Sequence, residues 1–176
     1  MTPFLTDIEI KTINDALDKK ILNWEDSNIF RWLEWGSGNS SVYYVNLLAS
    51  KKIHFEFYSM EHNPEWYKNA KRLITNPNFH IYLFDYNKYT RGELVYTCMK
   101  KYVEFPRSLN IKFDFIFIDG RKRVRCLKES KLLLNKGGIL FLDNAERAYY
   151  SEGMSLFPSG HIIHDKKWDG WIFYND

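Results

Sequence analysis

Two glycines one residue apart, Gly36 and Gly38, lie in the segment LEWGSGNSS, directly after an apolar run. Glycine lets a backbone turn tightly and come close to a bound molecule, because no Cβ stands in the way. A dinucleotide-binding loop would carry a third glycine in the pattern G-x-G-x-x-G, and Ser41 occupies that third place. The carboxylate of Glu34 beside the loop would repel a pyrophosphate but would suit a ligand with an amino group. The segment therefore indicates a ligand-binding loop, with an ordinary structural turn as the alternative.

Five strand-like segments share a further property, since each ends in or just before an acidic residue. These residues are Glu34, Glu61, Asp85, Asp119 and Asp143. Ligands of open parallel sheets bind outside the carboxyl ends of the strands. Glu61 lies at the distance from the glycines, roughly twenty residues, at which an acidic side chain can accept both hydroxyls of a ribose. Asp85 would either accept a hydrogen bond from an adenine amino group or start a turn.

A cluster of basic residues follows the fourth strand, in the segment DGRKRVRC. Its members are Arg121, Lys122, Arg123 and Arg125. Cations at the beginning of a helix oppose the helix dipole and cost about 0.3 to 1 kcal/mol each. We therefore expect the cluster to bind an acidic substrate, or to pair with Asp119 in place of a metal. The alternative is a solvated face that Glu129 and nearby carboxylates balance.

The positions of these residues depend on an alternation of strand-like and helix-like segments. A leading helix is predicted from Thr6, which can form a capping box with Glu9, to about Asn23. The predicted strands are IFRWLEW, IHFEFYSME, FHIYLF, FDFIFID and GGILFLD. The helices between them are predicted from about Ser41 to Ser50 and over NPEWYKNAKRLI, ELVYTCMKKYV and VRCLKESKLLL. Such alternation predicts right-handed crossovers and a parallel sheet with helices on both faces.

The C-terminal segment GHIIHDKKWDGWIFYND departs from this alternation. Its two short strands have no helix-length segment between them, so they can pair only as an antiparallel hairpin. The sequence therefore predicts an α/β, Rossmann-like fold with a mostly parallel seven-stranded sheet, which is the shape of the class I methyltransferase fold. We expect one domain over residues 1–176, with the leading helix in 1–28, the cofactor-binding core in 29–144, and a loop and hairpin in 145–176.

Composition and charge limit the cellular compartment and the binding partners that we expect for this protein. The 176 residues carry a formal net charge of +3, and the absence of a block of like charges permits a nucleic-acid partner without indicating one. Cys98 and Cys126 make neither a metal-type pair nor a disulfide framework. No apolar stretch approaches the roughly 20 residues of a membrane span, and the N-terminal residues lack the pattern of a signal peptide. We expect a soluble, cytoplasmic protein in a reducing compartment, with no membrane partner.

Four segments, LEWGSGNSS, YSMEHNPEWY, FIDGRK and GGILFLDN, resemble the corresponding segments of the catechol and caffeoyl-CoA type O-methyltransferases. That family uses S-adenosylmethionine and a divalent cation, and the resemblance spans about residues 30–144. Together with the residues that follow the strands, it implies a site for S-adenosylmethionine. The residues predicted to bind this cofactor are Glu34, Gly36, Ser37, Gly38, Asn39, Ser40, Glu61, His62, Asp85 and Asp119.

The resemblance also implies a metal site and a base. The family's metal ligands correspond to Asp119, Asp143 and Asn144, and its basic lysine corresponds to Lys122. Carboxylate and amide oxygens suit Mg²⁺, which would lower the pKa of an acceptor hydroxyl so that Lys122 could take its proton. Asp119 and Lys122 are therefore the predicted catalytic residues. The alternative is that Asp143 and Asn144 cap a following helix over AERAYY.

The predicted function is transfer of a methyl group from S-adenosylmethionine to a hydroxyl of a small molecule or a glycan. Arg121, Arg123 and Tyr149 are predicted to contact this acceptor. Relatives with these motifs carry extra N-terminal helices and an insertion that covers the substrate, and this chain has little beyond its core. We therefore expect an acceptor site that is open or that a second subunit of a homo-oligomer completes.

Two other functions remain as alternatives. An RNA or DNA methyltransferase directed at an amino group would carry Asn or Asp, two prolines and an aromatic residue after the fourth strand, where this chain has FIDGRK. A nucleic-acid partner is therefore not the expected one. A methyltransferase-like binding module without activity would need neither the glycine loop nor Glu61.

Overall fold

Seven strands form one sheet within the residues that the computed structural model describes, which are 2–22, 24–25 and 27–175. The strands are β1 (Phe30–Trp35), β2 (Phe55–Glu61), β3 (Phe79–Leu83), β4 (Phe113–Ile118), β5 (Leu134–Leu142), β6 (His161–Ile163) and β7 (Gly170–Asn175). Their order across the sheet is β3-β2-β1-β4-β5-β7-β6. Strands β1 to β5 are parallel, whereas β7 is antiparallel to both β5 and β6. The predicted sheet and its antiparallel hairpin are confirmed.

Helices cover both faces of the sheet. They are α1 (Asp7–Ile21), α2 (Asn39–Ser50), α3 (Pro64–Leu73), α4 (Gly92–Ser108), α5 (Arg123–Leu133) and α6 (Ser151–Met154). Helices α1 to α3 pack on one core cluster, and α4 and α5 pack on the other. The capping box of Thr6 and Glu9 begins α1 as predicted, and the predicted end at Asn23 lies outside the described residues. None of the helices in this part of the chain is long and apolar enough to cross a membrane.

The indole of Trp32 on β1 organises the centre of the sheet. It is fully buried, and its ring stacks on Phe115 of β4, Phe57 of β2 and Tyr44 of α2, with centroids 4.0, 5.2 and 4.9 Å apart. Aromatic pairs at such distances add to the stabilisation from burial alone. β1 is thereby fixed between its two neighbours, and the glycine loop that follows it starts from a rigid strand.

Helix α4 is longer than predicted because it continues through Pro106. A proline inside a helix lacks an N–H and leaves the carbonyl four residues earlier without its partner. That carbonyl belongs to Tyr102, and it accepts a hydrogen bond from Nε1 of Trp35 at 3.1 Å. The indole of Trp35 therefore replaces the missing backbone donor, and the helix ends at Ser108 instead of before the proline.

Two other boundaries differ from the sequence-based expectation. β5 begins at Leu134, directly after α5, because Leu134 pairs with Phe113 ahead of a shift in register. The helix predicted over AERAYY is a single 3₁₀ turn, Ala148–Tyr150, followed by α6. No side chain caps this turn, so the alternative role of Asp143 and Asn144 as helix caps is wrong.

Glu34 fixes the turn from β1 into α2. Its carboxylate is fully buried and accepts hydrogen bonds from the hydroxyls of Ser41 at 2.5 Å, Ser59 at 2.8 Å and Ser40 at 3.1 Å. The acid thereby joins β1, the first turn of α2 and β2. Burial raises the pKa of Glu34 to about 7, although the three serine hydrogen bonds act to lower it.

Replacing Glu34 with glutamine should change how stability depends on pH. Because the folded pKa of about 7 lies above the ordinary value of 4.5, the contribution of Glu34 to stability is fully present below about pH 4.5 and is lost as the pH rises through about 7. Glu34→Gln mimics the neutral acid, so its stability relative to wild type should rise across this window by up to about 3 kcal/mol. Urea unfolding of both proteins along a pH series measures the difference. If the free energy of unfolding depends on pH in the same way in both proteins, the raised pKa of Glu34 is wrong.

Candidate active site

Two cavities adjoin at the carboxyl edge of the sheet. The smaller, of about 200 Å³, lies against the glycine loop and the start of α2, residues 36–40, and against Glu61. The larger is an open cleft of about 1080 Å³ beside the start of α5. Both are bordered by His62, Trp66, Asp119 and Gly120. A molecule in the smaller cavity can therefore present a reactive group to a molecule in the cleft.

The two glycines of the loop have different roles. Gly36 has φ +98°, and a Cβ built on it would lie 2.7 Å from the backbone of Gly120. Its lack of a side chain therefore lets the loop after β1 touch the loop after β4. Gly38 borders the smaller cavity, and a Cβ there would meet no atom within 4 Å. Gly38 is thus the glycine that keeps space open for a ligand.

The carboxylate of Glu61 forms part of the wall of the smaller cavity. One oxygen accepts hydrogen bonds from the amide and the hydroxyl of Ser37, at 2.6 and 2.8 Å. The other accepts from the amides of His62 and Asn63, at 2.7 and 2.6 Å. Burial acts to raise the pKa of Glu61, but the interactions with His62, Asn63 and Ser37 outweigh it and hold the pKa below its usual value. Glu61 is therefore an ionised acceptor that is bonded to the glycine loop.

Glu34 supports the loop from beneath and does not border the smaller cavity. Its carboxylate is occupied by serine hydroxyls, so the structure does not bring it to the place where a ligand amino group was expected. Asn39 and Ser40, two further predicted cofactor residues, do border the cavity. Ser40 also donates its hydroxyl to Glu34, which links the cavity wall to the buried acid.

Asp85 lies in the turn that follows β3. Its Oδ1 accepts a hydrogen bond from the amide of Asn87 at 3.0 Å, the geometry of the turn alternative, and it borders neither cavity. Its neighbour Tyr86 does border the cleft. The ring of Tyr86 is parallel to that of His62, at an angle of 2° with centroids 5.8 Å apart. These two rings give the cleft flat surfaces next to Glu61.

Arg123 at the start of α5 turns inward, and only 8% of its side chain is exposed. Its Nη2 donates to the backbone oxygen and to Oδ1 of Asp119, at 2.6 and 2.9 Å. Its Nη1 donates to the backbone oxygen of Asp143 and to Oδ2 of the same residue at 3.2 Å. Its Nε donates to the backbone oxygen of Gly120 at 2.9 Å. The guanidinium therefore joins the ends of β4 and β5.

This arrangement does not fit the predicted Mg²⁺ site. The guanidinium supplies the positive charge between Asp119 and Asp143, the two carboxylates expected to hold the metal. The expected third ligand, Asn144, accepts a hydrogen bond from Arg147 at 3.3 Å. Within residues 2–22, 24–25 and 27–175, no group of three or more His, Cys, Asp or Glu side chains is arranged to hold a metal ion. The pairing of the basic cluster with Asp119 in place of a metal agrees with the structure.

Asp119 is the carboxylate of this pair that faces the cavities. One third of its side chain, 34%, is exposed, whereas the side chain of Asp143 is 6% exposed. Burial raises the pKa of Asp119 well above its usual value and the charge of Asp143 adds to this effect, while Arg123 opposes it. Oδ1 of Asp143 is buried without a hydrogen-bond partner. Asp119 can therefore contact a molecule at the junction of the cavities.

The other predicted site residues meet at the cleft. Arg121 and Lys122 are exposed and border it, and Lys122 adopts a left-handed backbone with φ 58°. Tyr149, of which 63% is exposed, also borders the cleft. Arg123 borders it too, but its polar atoms face the strand ends. The predicted acceptor contacts Arg121 and Tyr149 are thus brought together, whereas Arg123 has a positioning role.

Sequence analysis did not identify Arg147 as a site residue. Arg147 borders the cleft, and its Nη1 lies 3.5 Å from the hydroxyl of Tyr149 and 3.4 Å from that of Tyr150. The segment NAERAYY could have indicated Arg147 as a site residue, because Arg147 is two residues from the predicted acceptor contact Tyr149. The prediction of a regular helix there concealed that both side chains lie at the cleft.

Valine substitutions at the two glycines should affect different properties, protein stability at Gly36 and ligand binding at Gly38. Gly36→Val should destabilise the protein by more than about 2 kcal/mol, because its positive φ and its contact with Gly120 leave no room for a side chain. Gly38→Val should leave the melting temperature nearly unchanged while it fills space in the smaller cavity. Thermal unfolding measures the stability of both variants. Binding of S-adenosylmethionine is the second measurement, and it should be weakened in the folded Gly38→Val protein. A stable Gly36→Val protein would contradict the contact described for Gly36.

Removal of Arg123 should expose an otherwise compensated pair of acids. Arg123→Ala leaves the buried carboxylate of Asp143 and the partly exposed carboxylate of Asp119 without their cation, which should cost up to about 3 to 5 kcal/mol, and added Mg²⁺ should restore part of this loss. Wild type should respond neither to Mg²⁺ nor to EDTA. Urea unfolding with and without Mg²⁺ measures both the loss of stability and its partial recovery. Lys11→Ala, which breaks an exposed pair with Asp15, is the control and should show little change. Stabilisation of wild type by Mg²⁺ would contradict the arrangement.

Comparisons with known proteins identify the fold. No protein-family model matches the sequence, and no curated protein matches it. A methyltransferase-like protein from Silicibacter pomeroyi is 16% identical, with 98% of this chain and 88% of that chain covered and a TM-score of 0.67. A methyltransferase from Pyrococcus furiosus is 22% identical, with 99% and 87% covered and a TM-score of 0.52. A probable spermidine synthase from Corynebacterium glutamicum is 13% identical, with 96% and 63% covered and a TM-score of 0.65. The chain therefore has the α/β fold of the class I methyltransferases, which the probable spermidine synthase shares.

Proposed function

We propose that this protein is an S-adenosylmethionine-dependent methyltransferase that methylates a hydroxyl group of a small molecule or a glycan. The observation that carries the proposal is the junction of the two cavities. Glu61 and the open loop at Gly38 lie at the smaller cavity, and Asp119 lies where that cavity meets the cleft. The fold supports the proposal, but a shared fold does not fix the reaction.

The residues of the smaller cavity fit S-adenosylmethionine. Glu61 is an ionised acceptor at the cavity wall, and the two hydroxyl donors of a ribose would share its oxygens with Ser37, His62 and Asn63. The backbone amides of Ser37 and Gly38 are held by Glu61 and Ser41, and the open space beside Gly38 leaves room for a ligand against the loop. His62 and Tyr86 offer flat ring faces next to Glu61, and such faces suit a purine.

The chain's own residues orient the acceptor and receive its proton. S-adenosylmethionine supplies, when bound, an activated methyl group whose bond to sulfur breaks as an acceptor oxygen attacks. Asp119 borders both cavities, and its raised pKa makes it a stronger proton acceptor than an ordinary carboxylate. Arg123 holds Asp119 in place through two hydrogen bonds. Lys122, exposed at the cleft, is the second candidate base.

The charge of the cleft narrows the choice of acceptor. Six basic side chains border it, against two acidic ones, Asp119 and Glu152. A polycationic acceptor such as a polyamine would be repelled from this surface. The same charge favours nucleic-acid methylation as a second candidate function, because phosphate groups are held mainly by Lys and Arg.

Substitutions at the two acids should separate cofactor binding from chemistry. Glu61→Gln should weaken binding of S-adenosylmethionine by about tenfold or more, because the charged acceptor is lost. Asp119→Asn should keep the binding and lose turnover, because the amide cannot accept the proton. Calorimetry measures binding, and release of S-adenosylhomocysteine over a panel of catechols, sugars and short RNAs, with and without Mg²⁺, measures turnover.

Glu56→Ala is the matched control for Glu61. Glu56 lies on the same strand and pairs with Arg31 away from the cavities, so its loss should leave cofactor binding unchanged. Circular dichroism checks that all variants are folded. Absence of S-adenosylmethionine binding to wild type, or unchanged affinity in folded Glu61→Gln, would contradict the proposed function.

A further inference from the structure

Three cations of the cleft have no carboxylate partner among the described residues, although the guanidinium of one of them, Arg125, lies over the ring of Tyr96 at 5.2 Å. Arg123 is neutralised by Asp119 and Asp143, and Lys128 pairs with Glu152 at 2.5 Å. The basic residues that remain beside them on α5 or just before it are Arg121, Lys122 and Arg125. Among the residues that the structure describes, no carboxylate lies within 4.0 Å of their charged nitrogens. The cleft therefore holds positive charge that the protein itself does not balance.

The backbone at the start of α5 makes this concentration of positive charge unfavourable for stability. The first turn of α5 contains no acidic residue, and no side chain caps it. The helix dipole adds positive potential at the same end. Lys122 lies at the N-cap in a left-handed conformation, with φ 58°, which is uncommon for a residue other than glycine. An anion bound here would relieve the repulsion among all three side chains.

Aromatic side chains complete the cleft. Tyr149 is 63% exposed and Trp66 is 39% exposed, and both border the cleft. The guanidinium of Arg147 lies beside the hydroxyl of Tyr149. Exposed rings next to guanidinium groups suit a planar group through stacking and cation–π contacts. A ligand of this cleft would thus combine a negative group with a ring.

We infer that the methyl acceptor is a small molecule with a phosphomonoester, held by Arg121, Lys122 and Arg125, and with a planar ring that lies against Tyr149. The inference rests on the proposed function and names the class of acceptor for the same site. Three cations without a carboxylate partner match a dianionic phosphate, whereas one arginine suffices for a carboxylate. Their confinement to one helix end favours a compact anion over the extended backbone of a nucleic acid, which needs a longer basic stripe.

Calorimetry with four probes tests the inference. Phenyl phosphate has both required groups, benzoate replaces the phosphate with a carboxylate, phenol lacks the charge, and a short single-stranded RNA represents the extended alternative. Wild type should bind phenyl phosphate about tenfold more tightly than benzoate and should not bind phenol. The affinity for phenyl phosphate should fall as salt is added.

A double variant and a matched control locate the site. Arg121→Gln with Arg125→Gln should reduce the affinity for phenyl phosphate by about tenfold or more and should raise the melting temperature, because the repulsion is removed. Lys131→Gln changes an exposed lysine in the last turn of the same helix, outside the cleft, and should leave the affinity unchanged. Binding of S-adenosylmethionine should be the same in all three proteins.

The outcomes distinguish this inference from the proposed function. If S-adenosylmethionine binds and phenyl phosphate does not, the inference is overturned and the proposed function stands. If phenyl phosphate binds and the double variant loses it, while S-adenosylmethionine does not bind, the anion site stands and the proposed function is overturned. Tight binding of RNA without binding of phenyl phosphate overturns the inference in favour of a nucleic acid, and an equal loss in Lys131→Gln overturns the assignment to the cleft.

Discussion

The buried guanidinium of Arg123 is the interaction on which the carboxyl edge of the sheet depends. Asp119 and Asp143 end neighbouring parallel strands, so the pairing of β4 with β5 forces their carboxylates together. Two like charges that share one buried cation repel each other strongly where water is excluded. Arg123 lies within hydrogen-bonding distance of both acids. Its charge allows the strand ends to remain paired and leaves the face of Asp119 available to the cavities.

Positive charge is used in two different ways within one short segment. Arg123 is buried and compensates acids, so it contributes to the architecture of the strand ends. Arg121, Lys122 and Arg125 surround it in sequence, and they face the cleft. Because a helix places successive residues about 100° apart, Arg123 and Arg125, two positions apart on α5, point to opposite environments. A single basic segment therefore serves the interior and the binding surface at once.

The sequence predicted the sheet and its hairpin, because the alternation of apolar strands and helices leaves few topologies open. Boundaries were missed where the deciding contact is tertiary: the sequence cannot indicate that Trp35 satisfies the carbonyl that Pro106 leaves open. For the site, topology alone places Glu61 and Asp119 at one edge. The sequence could not indicate which of four basic residues turns inward, nor that Glu34 is covered by serine hydroxyls, since both depend on packing between segments distant in the chain.

The backbones of Gly36 and Gly120 touch, so the loop after β1 and the loop after β4 are mechanically one unit. Closely packed groups transmit displacement, because there is no free volume to absorb it. The loop after β4 carries Asp119 at one end and Arg121 at the other. The close contact at Gly36 thus lies against the segment that carries both the acid and the first cation of the cleft. The smaller cavity and the cleft therefore share a wall of packed main chain, and a side chain added at either glycine would disturb both cavities at once.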